Sequence, residues 1–294
     1  MSKGKSTPVP FWFGGFSASV ATVCTHPLDL VKVRLQTNHS GPSRGMLSTL
    51  VTVGRHEGLL ALFNGLSASL LRQATYSTVR FGVYDIVKHK LMENHPAGEK
   101  LPFYKMLIAG SVAGMVGGVF GNPADIVNVR MQNDGQLPVA KRRNYKHAVD
   151  GLVRITREEG LSSLFRGLGP NTNRAVLMTC SQLASYDGFK QVLLSTPYFQ
   201  ESIITHFSAS LMAGVFATTV CSPVDVIKTR IMNSSKGGRY KNALDAFVQT
   251  VRHEGVGALF KGWLPSFSRL GPHTIITFMV LERISGLYRQ RQNS

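Results

Sequence analysis

The chain has 294 residues, 43% of them hydrophobic, with 33 Lys and Arg against 16 Asp and Glu and a formal net charge of +17. Such a basic balance suits an anionic membrane surface, an anionic cargo or nucleic acid. The bases are spread over the whole chain, apolar segments included, which argues against nucleic acid as a partner. Cys24, Cys180 and Cys221 are odd in number and lie in apolar segments, so no disulfide framework is indicated. There is no His/Cys cluster with metal spacing, no Walker loop and no nucleophile elbow, and neither a metal, a cofactor nor enzymatic chemistry is expected.

The first fifteen residues, MSKGKSTPVPFWFGG, lack an apolar core followed by a small-residue cleavage site, so no removable targeting peptide is expected. A stretch of 23 residues without Asp, Glu, Lys or Arg runs from Ser6 to Leu28, followed by PLDLVKVR from Pro27 to Arg34. An amphipathic segment at Met46 to His56 is stopped by Gly58, suited to the position after a helix end, and EGLLALFNG begins at Glu57. A more polar candidate helix, Ser67 to Met92, closes the unit with Tyr84-Asp85.

The same order recurs twice. A 19-residue charge-free stretch, Met106 to Ala124, meets PADIVNVR from Pro123, then an amphipathic Lys146 to Glu158, EGLSSLFRG from Glu159, and Gly169 to Leu194 with Tyr186-Asp187. A 23-residue stretch, Ser202 to Val224, meets PVDVIKTR from Pro223, then Lys241 to His253, EGVGALFKG from Glu254, and Leu264 to Arg289 with Leu281-Glu282. The prolines are 96 and 100 residues apart, which divides the chain into repeats 1–96, 97–197 and 198–294. A membrane span needs about 20 mostly apolar residues, which each charge-free stretch approaches or exceeds. Their small residues, such as Gly14, Gly15, Gly110, Gly114, Gly118 and Gly214, allow close helix packing. The second helix of each repeat carries arginines, and ionisable groups within a span face a partner or a watery cavity. Soluble solenoid repeats have periods of about 20 to 50 residues, well short of this one.

The three P-x-D-x-x-(K/N)-x-R blocks, each followed by its E-G block, resemble the signature of the mitochondrial carrier family, and the resemblance covers nearly the whole chain. It implies an all-α membrane protein, a six-helix barrel-like bundle of three pseudo-symmetric repeats. Each repeat supplies two transmembrane helices and a short matrix helix, and the bundle works as a monomer in the mitochondrial inner membrane. Within the family, the stretches from Val127 to Gly151, at LSTPYF and at GPHTIITF are most similar to dicarboxylate carriers. Oxoglutarate carriers and uncoupling proteins share parts of the pattern. The function implied is exchange of small dicarboxylates such as malate or succinate for phosphate or another divalent anion. The alternatives are an oxoglutarate or other organic-anion carrier and an uncoupling-type proton leak.

Residue by residue, Pro27, Pro123 and Pro223 are candidate kinks, since an internal proline removes a helix hydrogen bond. The resemblance implies a matrix gate in which Lys32 meets Asp225 and Asp125 meets Lys228. Asp29 faces Asn128, which allows at most a hydrogen bond. Gln36 and Gln132 match bracing glutamines and Met232 does not. A cytoplasmic gate would pair Asp85 with Lys190 and Glu282 with Lys88, alongside Tyr84 and Tyr186, leaving Asp187 opposite Ser285. With two links at each end, neither closed state is favoured.

Thirteen residues before Asp85, Asp187 and Glu282 stand Arg72, Arg174 and Arg269, one per repeat at one level. Tyr76, Met178 and His273 follow one turn on, and Arg80, Gln182 and Thr277 two turns on, along the same helix faces. Guanidinium groups with no acid at their height suit a multiply charged anion. Arg80, Arg174 and Arg269 match the family's contact points, with Arg72 in support. His26 is expected to be a packed or gate-lining histidine. Cardiolipin is implied as a structural lipid at the helix starts marked by Gly65, Gly167 and Gly262, helped by Arg166 and Lys261, while Asn64 departs from the basic pattern.

Overall fold

The computed structural model describes residues 12–38, 45–93, 102–196, 203–234, 240 and 242–293. Ser6, Ser202 and Lys241, where three of the expected segments begin, therefore lie outside the described residues. Among the described residues nine α-helices follow in chain order: α1 Trp12–Thr37, α2 Met46–His56, α3 Leu66–Glu93, α4 Phe103–Asn133, α5 Ala148–Glu159, α6 Leu168–Leu194, α7 Ile203–Asn233, α8 Ala243–Glu254 and α9 Trp263–Asn293. No strand is present among the described residues. α4 and α7 are long and apolar enough to cross a membrane by length and composition. The arginine-bearing α3, α6 and α9 do not stand out by hydropathy, which is the result expected of helices with one polar face.

The six long helices close a ring. α1 packs on α3, α3 on α4, α4 on α6, α6 on α7, α7 on α9, and α9 back on α1. The proline-bearing α1, α4 and α7 also touch one another, so the ring narrows where they meet. Pro27, Pro123 and Pro223 lie inside unbroken helices, as does a fourth proline, Pro272, in α9. Phe81, Phe120, Phe216, Ile275, Phe278 and Met279 on the long helices are exposed, large apolar side chains that lipid could cover.

Small residues act as expected in the middle of the ring. An added Cβ on Gly110 would stand 3.0 Å from Thr179, and one on Gly114 3.2 Å from Ala175, so α4 and α6 pack with almost no intervening side chain. Gly117 and Gly121, on the adjoining face, admit Tyr76 of α3 just as closely. Gly14 and Gly15 differ from that expectation: a Cβ on either meets nothing within 4 Å.

The short helices obey their sequence signals with one exception. Asn242 accepts a hydrogen bond from the Asp245 N–H at 2.8 Å, and His147 Nδ1 accepts from the Asp150 N–H at 3.2 Å, capping α8 and α5. The glycines that end these helices are not left-handed caps. Gly160 has φ 87° and ψ 159°, an extended conformation open essentially to glycine alone, and it launches a 3₁₀ turn over Leu161–Phe165.

Candidate anion site and gate

Where α1, α4 and α7 converge, charged side chains of all three repeats form one cluster. Lys32 Nζ lies 3.0 Å from Asp225 Oδ2, and Lys228 Nζ lies 2.9 Å from Asp125 Oδ2. Both joins link different repeats, α1 to α7 and α7 to α4. The third join is not made as expected. Asn128 Oδ1 accepts from Ser69 Oγ at 2.8 Å and from Gln132 Nε2 at 3.0 Å, and among the described residues no hydrogen bond links it to Asp29. A neutral amide has no Coulombic reason to prefer the acid over two nearby donors.

The arginine level, expected to be free of acids, is not. Arg269 Nη1 lies 2.5 and 2.6 Å from the two oxygens of Asp29. Arg174 Nε donates to Asp225 Oδ1, and Arg72 Nε is 3.5 Å from Asp125 Oδ1. Each arginine thus reaches the acid of the next repeat around the ring. The side chains of Asp29, Asp125 and Asp225 are 10–13% exposed, so water does little to screen these pairs. Asp125 and Asp225 are each held by a lysine and an arginine, whereas the ion-pair partner of Asp29 among the described residues is Arg269, with the charges of Arg72 and Lys32 nearby.

The other expected site residues lie one and two turns further along α3, α6 and α9. Arg80 is exposed and lies over the Tyr76 ring, its Cζ 5.8 Å from the centroid. It is the one guanidinium of the four that faces no carboxylate among the described residues. His273 Nδ1 approaches Thr25 Oγ1 at 3.5 Å, Thr277 bonds back to the His273 carbonyl, Met178 is half-buried and Gln182 is exposed. His26 is buried, its Nε2 3.1 Å from the Asn64 carbonyl and its ring stacked on Phe63, while its Nδ1 has no partner.

At the other end of the ring Asp85, Asp187, Lys88 and Glu282 are exposed, and Tyr84 and Tyr186 half-buried. Among the described residues the pairs Asp85–Lys190 and Glu282–Lys88 are not made. In this conformation ion pairs join the repeats at the proline end.

The glutamines do not brace the ion pairs in the expected way. Gln36 Oε1 accepts from Thr229 Oγ1 at 2.8 Å, and Gln132 turns to Asn128. Their larger role is as seats for glycine: a Cβ on Gly262 would stand 2.9 Å from Gln36, one on Gly65 3.1 Å from Gln132, and one on Gly167 3.1 Å from Met232. All three glycines have positive φ, between 72° and 88°. A bare turn from each repeat thus packs on the next repeat's long helix, and Met232 fills the seat as well as glutamine.

A threefold set escaped notice in the sequence. Arg34, Arg130 and Arg230, the last residues of the P-x-D blocks, are almost fully buried. Arg230 Nη1 and Nη2 donate to Glu254 at 2.6 and 2.8 Å, Arg130 does the same to Glu159 at 2.6 and 2.9 Å, and Arg34 binds Glu57 with both nitrogens. Each arginine's Nε also donates to a backbone carbonyl of another repeat, that of Gln132, Met232 or Gln36. The recurrence of Arg and Glu in both blocks was the available signal. Burial would push the Glu254 carboxyl up, but bonds from Arg230 and Lys261 outweigh it and hold it down at about 2. Bonds from Arg34 likewise lower the Glu57 carboxyl.

The basic residues expected at lipid sites already have protein partners. Lys261 Nζ donates to Glu254 and to the Asn38 carbonyl, and Arg166 Nη1 to the Ser234 carbonyl. A surface cavity of about 470 Å³ lies beside Lys261, Gly262 and Trp263, reaching the start of α2 at Gly45 and Met46.

Three repeats in a six-helix ring, an acid–base cluster tying one end, and arginines at a common level define a membrane carrier that opens to one side at a time. The chain belongs to the family described as mitochondrial carrier protein, whose pattern matches residues 3–95, 99–197 and 199–292. It is 52% identical to the mitochondrial citrate transporter F of Aspergillus niger over 97% of this chain and 91% of that one. It is 48% identical to the mitochondrial dicarboxylate transporter of Saccharomyces cerevisiae (96% and 94% covered) and 47% to the mitochondrial dicarboxylate carrier of Caenorhabditis elegans (97% and 96%).

Proposed function

We propose that this carrier exchanges small dicarboxylates, malate and succinate among them, for phosphate or another divalent anion across the mitochondrial inner membrane. One observation carries the reading: in the cluster five cations (Lys32, Arg72, Arg174, Lys228, Arg269) face three carboxylates (Asp29, Asp125, Asp225). The excess of two positive charges matches a dianion. The names of the relatives, which include dicarboxylate carriers, support the same class.

The arginines connect binding to opening. Arg174 and Arg269 sit between the space above, where Arg80 waits unpaired, and the acids that tie the matrix end. A dianion descending from Arg80 competes with Asp225 and Asp29 for guanidinium bonds, each worth about 1.5–3 kcal/mol when charge-assisted. Every arginine drawn to the cargo loosens one tie, so cargo binds the opening state better than the closed one, as a ligand-driven switch requires. Cardiolipin is proposed for the cavity at Gly262 and the equivalent helix starts, where backbone N–H groups favour phosphate. A single chain completes the ring, which supports a monomer.

The test is exchange in liposomes. Protein reconstituted with internal phosphate and offered labelled malate, succinate, oxoglutarate or sulfate should take up malate and succinate only when a counter-anion is inside. Oxoglutarate uptake equal to malate with no phosphate exchange would move the assignment to another organic-anion carrier. Fatty-acid-activated proton conductance without malate exchange would indicate a leak protein.

A further inference from the structure

The interval from proline to E-G block is 36 residues in the second repeat against 30 and 31 in the others, and the segment that lengthens it, residues 134–144, is folded. It contains two 3₁₀ turns, Asp134–Gln136 and Val139–Lys141. The segment holds its own shape: the Asp134 carboxylate accepts from the N–H groups of Arg143 and Asn144 at 2.7 and 2.9 Å, and Arg142 donates to the carbonyls of Leu137 and Gly135 at 3.1 and 3.3 Å. Residues 138–142 stand exposed, so the segment is fixed mainly at its two ends.

Each end reaches another repeat. Gly135 rests on the Arg34–Glu57 pair of repeat 1, so closely that a Cβ would stand 2.5 Å from Arg34 Nη2 and nearer still to the Glu57 carboxylate. Just before it, the side-chain oxygen of Asn133, the last residue of α4, lies 2.5 Å from Thr37 Oγ1, on the last residue of α1. At the other end Arg143 donates to the carbonyl and the side-chain oxygen of Asn233, the last residue of α7, at 2.8 and 3.3 Å. Arg154 of α5 fixes the Arg143 carbonyl at 2.7 Å, which anchors that end in repeat 2.

We propose that residues 134–144 form a strap that keeps the proline end of the ring closed and must release a neighbouring repeat each time that end opens. Its contacts to repeats 1 and 3 can exist only while the last turns of α1, α4 and α7 are together. They therefore stabilise the closed end and not the open one, and set how readily it opens. None of these contacts involves a residue proposed to hold cargo, so the strap acts on opening and not on the choice of anion.

Hydrogen exchange of the detergent-solubilised protein and malate exchange in liposomes test this together; the second arm rests on the function proposed above, and the first does not. Arg143→Ala cuts the tie to repeat 3. In that variant the last turns of α1, α4 and α7 should exchange hydrogen at least about tenfold faster than in wild type, while the far ends of α3, α6 and α9 keep their protection. Malate exchange should rise at least about twofold as the closed end loses stability. Gly135→Ala, which must lift the strap from the Arg34–Glu57 pair, should act in the same direction, so the inference stays testable if Arg143→Ala does not fold. Lys141→Ala removes a charge from the exposed middle of the strap and should change neither readout. Unchanged protection at the three helix ends in both variants, a uniform loss of protection over the whole chain, or malate exchange no faster than wild type would each overturn the strap. Wild type that exchanged no malate would count against the function proposed above, and protection at the helix ends would still decide the strap.

Discussion

Arg269 of the third repeat holds both carboxylate oxygens of Asp29 in the first, 2.5 and 2.6 Å from one guanidinium nitrogen, across 240 positions of sequence. On the proposed reading this pair joins the cargo level to the gate. Arg269→Ala should therefore do two things together: remove a cargo contact and leave Asp29 uncompensated. Malate exchange should fall at least about tenfold, from the loss of charge-assisted bonds, and thermal stability should fall as well. Arg269→Lys keeps the charge without the planar fork, so it should recover more of the stability than of the rate. Wild-type exchange by either variant would show that Arg269 does not touch the cargo.

The seat between Gly262 and Gln36 makes a prediction about assembly of the ring. Alanine at 262 must hold φ at 85° and place its Cβ 2.9 Å from Gln36 and 3.1 Å from the Lys32 carbonyl. A forced left-handed residue costs about 1–3 kcal/mol, and the contact adds to it, so Gly262→Ala should melt several degrees below wild type. Gly286→Ala is the control. Its Cβ meets nothing within 4 Å, it lies inside α9, and alanine favours helix over glycine by about 1 kcal/mol, so its Tm should hold or rise. Equal melting of both variants would mean the seat is not tight.

Much of the fold was legible because the chain states it three times. The α2 boundaries, Met46–His56, follow directly from the apolar period and the stopping glycine, and Lys32–Asp225 and Lys228–Asp125 follow from phased motifs read with the family's pairing. Spacing also put Arg72, Arg174 and Arg269 at one level. It could not show what stands across the ring from them, because an intrahelix interval fixes height and face but not the neighbouring helix's side chains. For the same reason the family's pairing, which sets Asn128 opposite Asp29, does not reveal that Ser69 on α3 is its donor. The far-end pairs Asp85–Lys190 and Glu282–Lys88 are a different case: they are expected of a closed far end, and a single conformation with the proline end tied does not test them.

Glu254 gives a pH prediction. Its carboxyl lies at about 2 in the folded protein against 4.5 ordinarily, so folding favours the deprotonated form. The stabilisation is fully present above the unfolded value and is lost as pH falls from about 4.5 towards 2. Thermal unfolding of the solubilised protein should show Tm falling through that window, more gently for Glu254→Gln, which has already lost the carboxylate. At neutral pH the Glu254→Gln variant should itself be destabilised, because the almost fully buried Arg230 is left without its charge partner. A Glu254→Gln protein as stable as wild type at pH 7 would mean that the Arg230 contacts to Thr250 and the Gln36 carbonyl suffice to hold it.

The far-end acids separate a structural role from a cycling one. Asp85 and Glu282 are exposed and make no ion pair in this conformation among the described residues, so their charges contribute little to its stability; exposed pairs are worth about 0–1 kcal/mol even when formed. If they pair with Lys190 and Lys88 when the carrier turns to the other side, Asp85→Asn and Glu282→Gln should leave the Tm of the form seen here unchanged while slowing malate exchange severalfold. The slowing should be greater for the double substitution, since each removes one tie from the same opposite state. Substituting Asp125 by Asn should behave otherwise, lowering both Tm and exchange, because its pairs with Lys228 and Arg72 are already made. A carrier with both far-end acids neutralised that exchanges malate at the wild-type rate would show that this end closes without ion pairs.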